Sequence, residues 1–436
     1  MATWRHCGSV TAVLACAIFA ITYALIATEK IHRVTAALGG VAAMVLVGIV
    51  DTENAFYSEH SGIDWNVIFL LFAMMIIVGV LKQTGLFDYL AVWAAQKSQG
   101  RPFKLMVLFV LITATASAFL DNVTTVLLVA PVALMVCNKL DIKPIPYLLA
   151  LVFASNIGGA ATLIGDPPNI IIASRSGLTF NDFLIHMAPI VIVITIGFIG
   201  LCWLLFRQDM QYNPDKVDAV LTLRPADSIT DRALLIRCLV VLTGVMIGFM
   251  LHSALHVEPS LVALMGAGAT IAVSQATPVQ FLEEVEWATL VFFMALFVLV
   301  GGLVEAGVIA DLGREAVEAT DGRYFMAATG LVFGSGVLGA LVDNIPYTAA
   351  MAPIVADLVA AGGGAADSLW WAFALGADFS GNATAVAAGA NVVVIGIAAK
   401  HGHHISFWHF TKYGLLVTTY TLVMAWAYVW LRYFAF

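Results

Sequence analysis

The feature that most constrains this chain is the run Ser155-Asn156-Ile157-Gly158-Gly159-Ala160-Ala161-Thr162-Leu163-Ile164-Gly165-Asp166-Pro167-Pro168-Asn169, set between strongly apolar stretches. A helix in lipid does not tolerate Gly-Gly, Pro-Pro, two Asn and an Asp within one span, because each freed backbone group needs a partner. At membrane depth such a run occurs only where protein or a water-filled cavity surrounds it. The expected object is a broken transmembrane helix, whose half-helix ends offer N–H groups to anions and carbonyls to cations.

The object appears twice. Advancing by 222 residues carries Asn156–Asn169 onto Asp378–Asn391, so that Gly159 meets Gly381, Thr162 meets Thr384 and Asn169 meets Asn391. The same offset carries Asp64-Trp65 onto Glu286-Trp287, Gly79 onto Gly301, Gly85 onto Gly307, Asp121-Asn122 onto Asp343-Asn344 and Pro131 onto Pro353. Matches of Gly or Ala are cheap in so apolar a chain, but two Asp-Asn pairs and two Pro in register are not. The chain reads as an internal duplication: a first repeat over 1–206, a cytoplasmic linker over 207–231 rich in Pro, Asp and Arg, and a second repeat over 232–436.

With 61% hydrophobic residues, 11% charged and a mean hydropathy of +0.95, against about 25% charged in soluble chains, this is a polytopic membrane protein. A net charge of -8 leaves no basic stripe for nucleic acid. Cys7, Cys16, Cys137, Cys202 and Cys238 have neither a disulfide framework nor zinc spacing. The run 10–26 is read as a retained first span rather than a signal peptide, because it stands opposite 232–249 in the repeat.

A span needs about 20 apolar residues. The first half then gives spans at 9–28, 33–50 and 65–81, an amphipathic segment at 86–97, and two short arms at 103–120 and 123–137. A broken span at 147–174 and a span at 183–206 complete it. The second half repeats this as 233–251, 259–273, 287–304, arms 325–342 and 345–360, broken span 368–399, and 411–431. Short arms meeting at Asp-Asn suggest a re-entrant hairpin with its tip at mid-membrane. The expected fold is all-α and polytopic: two inverted repeats, each with five transmembrane helices (one broken) plus one re-entrant helical hairpin.

Charge placement orients it. Segment 51–64 carries Asp51, Glu53, Glu59 and Asp64 with no Lys or Arg, so it should be external. Fifteen of the 20 Lys and Arg then fall inside, Lys30, Arg33, Lys82 and Lys143 among them, which satisfies the positive-inside rule. Both termini are expected outside, in the inner membrane of the cell. Glu283, Glu284 and Glu286 fall inside, although acids weigh little in that rule.

Four polar clusters are expected to converge: Asp121-Asn122-Val123-Thr124-Thr125, Asp343-Asn344 with Thr348, and the two breaks. The breaks contribute Asn156, Gly158, Gly159, Thr162, Asp166 and Asn169, then Asp378, Ser380, Gly381, Asn382, Thr384 and Asn391. An ionisable group in a span costs about 2.5–3.5 kcal/mol on insertion scales, so Asp121 and Asp343 read as functional; uncharged Ser or Asn would cap as well. For the glycines, close helix packing and approach to a ligand both stay open. Asp166 reads equally as the cap of the second half-helix or as an ion ligand.

Asp378 stands where Asn156 stands in the first repeat, and Asp166 faces Ala388. One proton or cation site, on one side of the pseudo-symmetry axis, would account for that difference. No Lys, Arg or His lies within the four clusters, which disfavours a large polyanion and favours a neutral polar solute or a cation. Cys is absent from them too, so thiolate capture of a soft metalloid is not indicated. His401, His403 and His404 read as a solvated turn, and Glu305 as facing water. No cofactor or resident metal is implied.

The motifs Asn156–Asn169 and Phe119-Leu120-Asp121-Asn122-Val123-Thr124-Thr125 resemble the ion transporter superfamily. More narrowly, they are similar to the branch holding ArsB-type arsenite permeases, NhaD-type sodium/proton antiporters and the melanosomal P protein. Related di- and tricarboxylate carriers have a Ser-Asn-Thr tip; here Asp121 and Asp343 replace that Ser, and Val123 and Ile345 that Thr. The resemblance implies a scaffold, a transport domain with two hairpins, and elevator-like or rocking exchange.

The leading expectation is proton-coupled efflux of arsenite and antimonite. The neutral trihydroxide would be hydrogen-bonded by Asn122, Asn344, Thr125, Thr162, Asn382 and Thr384, with Asp121 or Asp343 taking the exchanged proton. The alternative is cation/proton antiport, in which carboxylates bind sodium in competition with protons. The partners are then the bilayer, a small inorganic solute, a proton or sodium ion, and by family analogy alone a soluble ATPase. No HExxH, GxSxG or GxGD motif points to an enzyme.

Overall fold

Apolar sequence punctuated by Gly, Pro and Asp folds into helices that end at the punctuation. The computed structural model describes residues 2–28, 31–58, 61–210, 212, 214–217, 221–222, 224–275 and 277–435, without the side chains of 2–9, 27, 278 and 365. Lys30 and Glu59 of the charge argument, linker positions 211, 213, 218–220 and 223, and the side chain of Cys7 lie outside the described residues.

The first half holds α1 (Ala2–Ala27), α2 (Arg33–Leu46), α3 (Thr52–Phe56), α4 (Trp65–Gln83), α5 (Leu86–Ser98) and α6 (Pro102–Phe119). It continues with α7 (Asn122–Leu140), α8 (Ile145–Gly159), α9 (Pro167–Ser176), α10 (Phe180–His186) and α11 (Ala188–Phe206). The second half holds α12 (Arg232–Leu255), α13 (Pro259–Ser274), α14 (Pro278–Glu283), α15 (Trp287–Glu305) and α16 (Val308–Thr320). Then come α17 (Tyr324–Val342), α18 (Asn344–Gly362), α19 (Ser368–Ser380), α20 (Gly389–Lys400) and α21 (Phe407–Tyr433).

The backbone repeats as the sequence does. Left-handed φ values recur 222 residues apart: 78° at Gly85 and 77° at Gly307, 55° at Gln99 and 45° at Asp321, 68° at Gly100 and 72° at Gly322. Positive φ is costly for residues with a Cβ, so its recurrence at the same places records the same chain path. It also brings out α16 as the mate of α5, a helix the span rule passes over because Asp311, Arg314, Glu315 and Glu318 interrupt it.

One expectation needs correction. The arms α6, α7, α17 and α18 are 18, 19, 19 and 19 residues long. At 1.5 Å per residue they measure about 27–29 Å, close to the hydrocarbon thickness, so they are not too short to cross. Among the described residues nine helices have the length and hydropathy of a span, all four arms included. The arms do turn sharply: Leu120 and Asp121 alone separate α6 from α7, and Asp343 alone separates α17 from α18. The linker is docked on the first half. Its Pro225–Ser228 turn packs on α5, and the Thr230 N–H donates to the Thr84 carbonyl at 3.1 Å.

The broken spans are the centre of the molecule. In α8 every residue from Pro146 to Gly159 is buried, as is every residue of α19. The arm α6 packs along α8 and the arm α17 along α19. At the periphery the apolar side chains point outward instead: Ile192, Ile196, Leu204, Ile236, Val240 and Ile247 are all exposed. So extensive an apolar exterior calls for a bilayer.

Candidate ion and solute site

Gly158, Gly159 and Gly165 make the first break. A Cβ on Gly158 would run into the backbone of Ala114 in α6, and one on Gly159 would lie 2.7 Å from the Gly165 carbonyl. On Gly381 it would lie 3.2 Å from the Asn344 amide nitrogen. At Gly158, Gly159 and Gly165 the space left by the missing side chain is filled by protein backbone, which is the packing role. Pro167 and Pro168 then start α9 where their absent N–H groups are not needed.

Asp166 stands at the cap position of α9 yet makes no capping bond. Its Oδ2 instead accepts from the Asn122 amide at 3.1 Å. The capping reading of this residue is thereby set aside.

Each break is pinned to the tip of its own arm in the same way. Thr162 donates to the Ala118 carbonyl at 2.5 Å and Thr384 to the Ala340 carbonyl at 2.9 Å. Asn169 donates to the Thr162 carbonyl at 3.0 Å and Asn391 to that of Thr384 at 2.7 Å. These bonds sit 222 residues apart, atom for atom. Thr348 donates to the Asn344 carbonyl and Ser380 to that of Ala377. At the tips, the Asp121 carboxylate accepts from the Thr124 N–H and the Asp343 carboxylate from the Ile345 N–H.

The tips differ in strain. Asp343 has φ 129°, whereas Asp121 lies at -65°. Non-glycine residues held at such values cost of order 1–3 kcal/mol and cluster at functional sites.

Asn156 joins the two breaks. Its amide accepts from Asn122 at 3.3 Å and donates to the Gly381 carbonyl at 3.3 Å, with the Asn382 and Asn391 side-chain oxygens each at 3.2 Å. Around this crossing lie Asp166, 1% exposed, and Asp378, fully buried. Asp166 is within electrostatic reach of Asp378, Asp121 and Asp343. Oδ1 of Asp166 and both carboxylate oxygens of Asp378 are buried with no hydrogen bond within 3.5 Å, although the Asn169 side chain lies against Asp378; the Thr125 hydroxyl and the Asn169 oxygen are unpartnered too. The Asn344 and Asn382 amide nitrogens are in the same position.

A cavity of about 470 Å³ opens onto the two tips beside this crossing. It is lined by Asp343 and Val123 from the two tips, Gly389 from the second break, and His32, Arg33 and Glu286 from α2 and the start of α15. Sequence reasoning missed Arg33. It lies about ninety residues from the nearest cluster, and a charge at a helix start reads as loop. The clusters themselves hold no cation, but their cavity does. Tyr23, also missed, donates to the Pro346 carbonyl beside the second tip at 2.6 Å.

A second cavity, of about 500 Å³, is its counterpart: Leu163 and Ile170 of the first break with His252, Glu258 and Asn66, but no tip residue. His403 lines a third cavity, of about 530 Å³, beside the Lys143–Asp209 ion pair at 2.7 Å. Glu305 is exposed, as expected, and accepts from the Ser61 hydroxyl at 2.7 Å.

The sequence model of the citrate transporter family, CitMHS, matches residues 23–376 of this chain. An uncharacterized transporter of Mycobacterium tuberculosis is 53% identical over 428 residues, covering 97% of this chain and 99% of its own. The human P protein is 33% identical over 94% of this chain and 59% of its own. The solved structure of the YdaH transporter of Alcanivorax borkumensis matches with a TM-score of 0.59 over 97% of this chain and 98% of its own. At 15% identity that likeness is one of fold alone.

Proposed function

This chain belongs to the citrate transporter family of the ion transporter superfamily, and from that premise we propose that this multi-pass secondary transporter exchanges a small cation, sodium foremost, for protons. The observation that carries the reading is the set of three buried carboxylate oxygens, one on Asp166 and two on Asp378, that no hydrogen bond within 3.5 Å satisfies, with the Asn169 side chain as the polar group beside Asp378. Ionised carboxylates out of water cost several kcal/mol each unless a positive charge accompanies them. No Lys, Arg or His lies within the breaks to supply it. A proton or a metal cation has to, and the two compete for the same oxygens. That competition is antiport.

In this reading the coupling site is Asp166 and Asp378 with Asn122, Asn156 and Asn169 around them. The tips Asp121-Asn122 and Asp343-Asn344 border the route. Residues 1–206 and 232–436 are inverted repeats joined by the cytoplasmic linker 207–231, each hairpin re-entering the membrane, with both termini outside. The two offset-related cavities support the inversion, since each combines the helix turn of one repeat with the break of the other. On the positive-inside assignment the Arg33 cavity opens to the cytoplasm.

Arsenite efflux draws less support from the geometry. Of the six groups expected to hold a trihydroxide, Thr162 and Thr384 donate their hydroxyls to backbone carbonyls and Asn122 its amide to Asn156 and Asp166, which leaves the Thr125 hydroxyl and the Asn344 and Asn382 amide nitrogens unpartnered. The deciding experiment is a proteoliposome panel of sodium, arsenite and a dicarboxylate, each with and without a pH gradient. Sodium-driven proton movement, lost in Asp166→Asn and in Asp378→Asn, is expected. Proton-linked movement of arsenite or dicarboxylate with none of sodium would overturn the reading.

A further inference from the structure

The two repeats treat one acid differently. Asp64, before α4, spends its carboxylate on capping: Oδ1 accepts from the Asn66 and Val67 N–H groups at 3.1 and 3.2 Å. Its mate Glu286, before α15, is one methylene longer and makes no capping bond. The Glu286 side chain turns instead to the Thr289 hydroxyl at 3.0 Å, and that hydroxyl also accepts from Arg33 at 3.3 Å. Helix α15 thereby gives up a cap worth about 1 kcal/mol, and the carboxylate lines the cavity that reaches Asp343 and Val123.

Its neighbour Glu284 cannot do the same, being paired with Lys82 at 3.3 Å and bonded to Gln83. The charged and titratable groups around Glu286 are Arg33 and His32 from α2, Lys82 from α4, Asp121 from the first tip and Asp343 from the second. Of these, Asp121 and Asp343 lead inward to the Asp166 carboxylate, which feels both.

We propose that Glu286 is the proton-transfer residue of the Arg33 cavity, passing protons between the aqueous mouth and the tip aspartates while Thr289 and Arg33 hold it in place. The proposal rests on the cation/proton reading above and adds to it the route by which the proton enters. Burial, with a contribution from Asp121, pushes this carboxyl above the usual range, and Thr289, Arg33 and Lys82 pull it back. A carboxyl so placed exchanges protons nearer to neutral pH than a free one does, as a relay between water and a buried acid requires.

The test separates exchange that moves protons from exchange that does not. In proteoliposomes, sodium/proton exchange would be followed with an entrapped pH dye, and sodium/sodium exchange with radioactive sodium. Glu286→Gln is expected to lower the first at least tenfold and flatten its pH profile, while leaving the second within about twofold of wild type; Glu286→Asp should restore much of the first. Equal loss of both, or no loss of either, would overturn the proposal. If Glu286→Gln fails to insert, Thr289→Val takes its place, with a drop of about threefold in proton-linked exchange alone and an unchanged rate as the contrary result. A wild-type protein inactive in both assays would instead sink the cation/proton reading and this inference with it.

Discussion

If the two breaks are joined through Asn156, removing that side chain must loosen the centre of the molecule. In Asn156→Ala the Gly381 carbonyl keeps its bond from Asn391 at 2.7 Å, and Asn122 keeps Asp166 at 3.1 Å. Two acceptors lose the donor that faces them: the side-chain oxygens of Asn382 and Asn391, each 3.2 Å from the lost nitrogen. Both residues are fully buried. A buried polar atom left without a partner costs about 1–3 kcal/mol, so the substitution should cost about 2–6 kcal/mol. A domain of 150–250 residues loses about 2–4 °C per kcal/mol, and a chain of 436 residues unfolding as one unit loses roughly half that.

Thermal unfolding of the detergent-solubilised protein, followed by tryptophan fluorescence, should therefore fall by about 2–12 °C. A double-mutant cycle with Asn391→Ala should show a coupling of about 0.5–3 kcal/mol. A melting temperature unchanged within a degree, or additive single effects, would refute the crossing.

Other expectations follow from the duplicated geometry. Thr162→Val and Thr384→Val each strip a donor from a tip carbonyl, so each should cost about 1 kcal/mol; paired melting curves should agree. Gly85→Ala and Gly307→Ala share a left-handed backbone, but a Cβ at Gly85 collides with the Ser228 carbonyl while nothing lies within 4 Å at Gly307. The first should therefore destabilise clearly more than the second, and equal losses would argue against a docked linker. Lys82→Met breaks an ion pair whose lysine is 51% exposed, so it should change stability by no more than about 1 kcal/mol with little dependence on salt thereafter. Saturating sodium at about 100 times its dissociation constant should raise stability by about 2.7 kcal/mol, and Asp378→Asn should abolish that shift in melting temperature.

Local sequence carried much of the fold because local chemistry wrote it. Gly-Gly followed by Asp-Pro-Pro marks the end of one helix and the start of the next, and an Asp-Asn pair between two apolar runs favours a turn, so the breaks and arm junctions were legible to within a few residues. Lengths were less so: α7 and α18 extend to Leu140 and Gly362, past the apolar residues on which the span rule depends. Which groups meet across the fold was the hardest to read. Arg33 joins Asp343 in one cavity across about three hundred residues, with no spacing to announce it. Asp166 read equally as a cap and as an ion ligand because its position is a cap position; only the geometry of Asn122 turns it inward. The signal that could have found Glu286 was present in the offset, where Glu replaces the Asp that caps its own helix.

The most direct measurement of the central claim is sodium binding to the purified protein in weakly buffered detergent solution near neutral pH, with released protons counted. If buried carboxylates hold either a proton or a cation, sodium should release protons from the wild type, and the response should vanish in the double variant Asp166→Asn, Asp378→Asn. Sodium binding with no proton released, or the same release from the double variant, would contradict it.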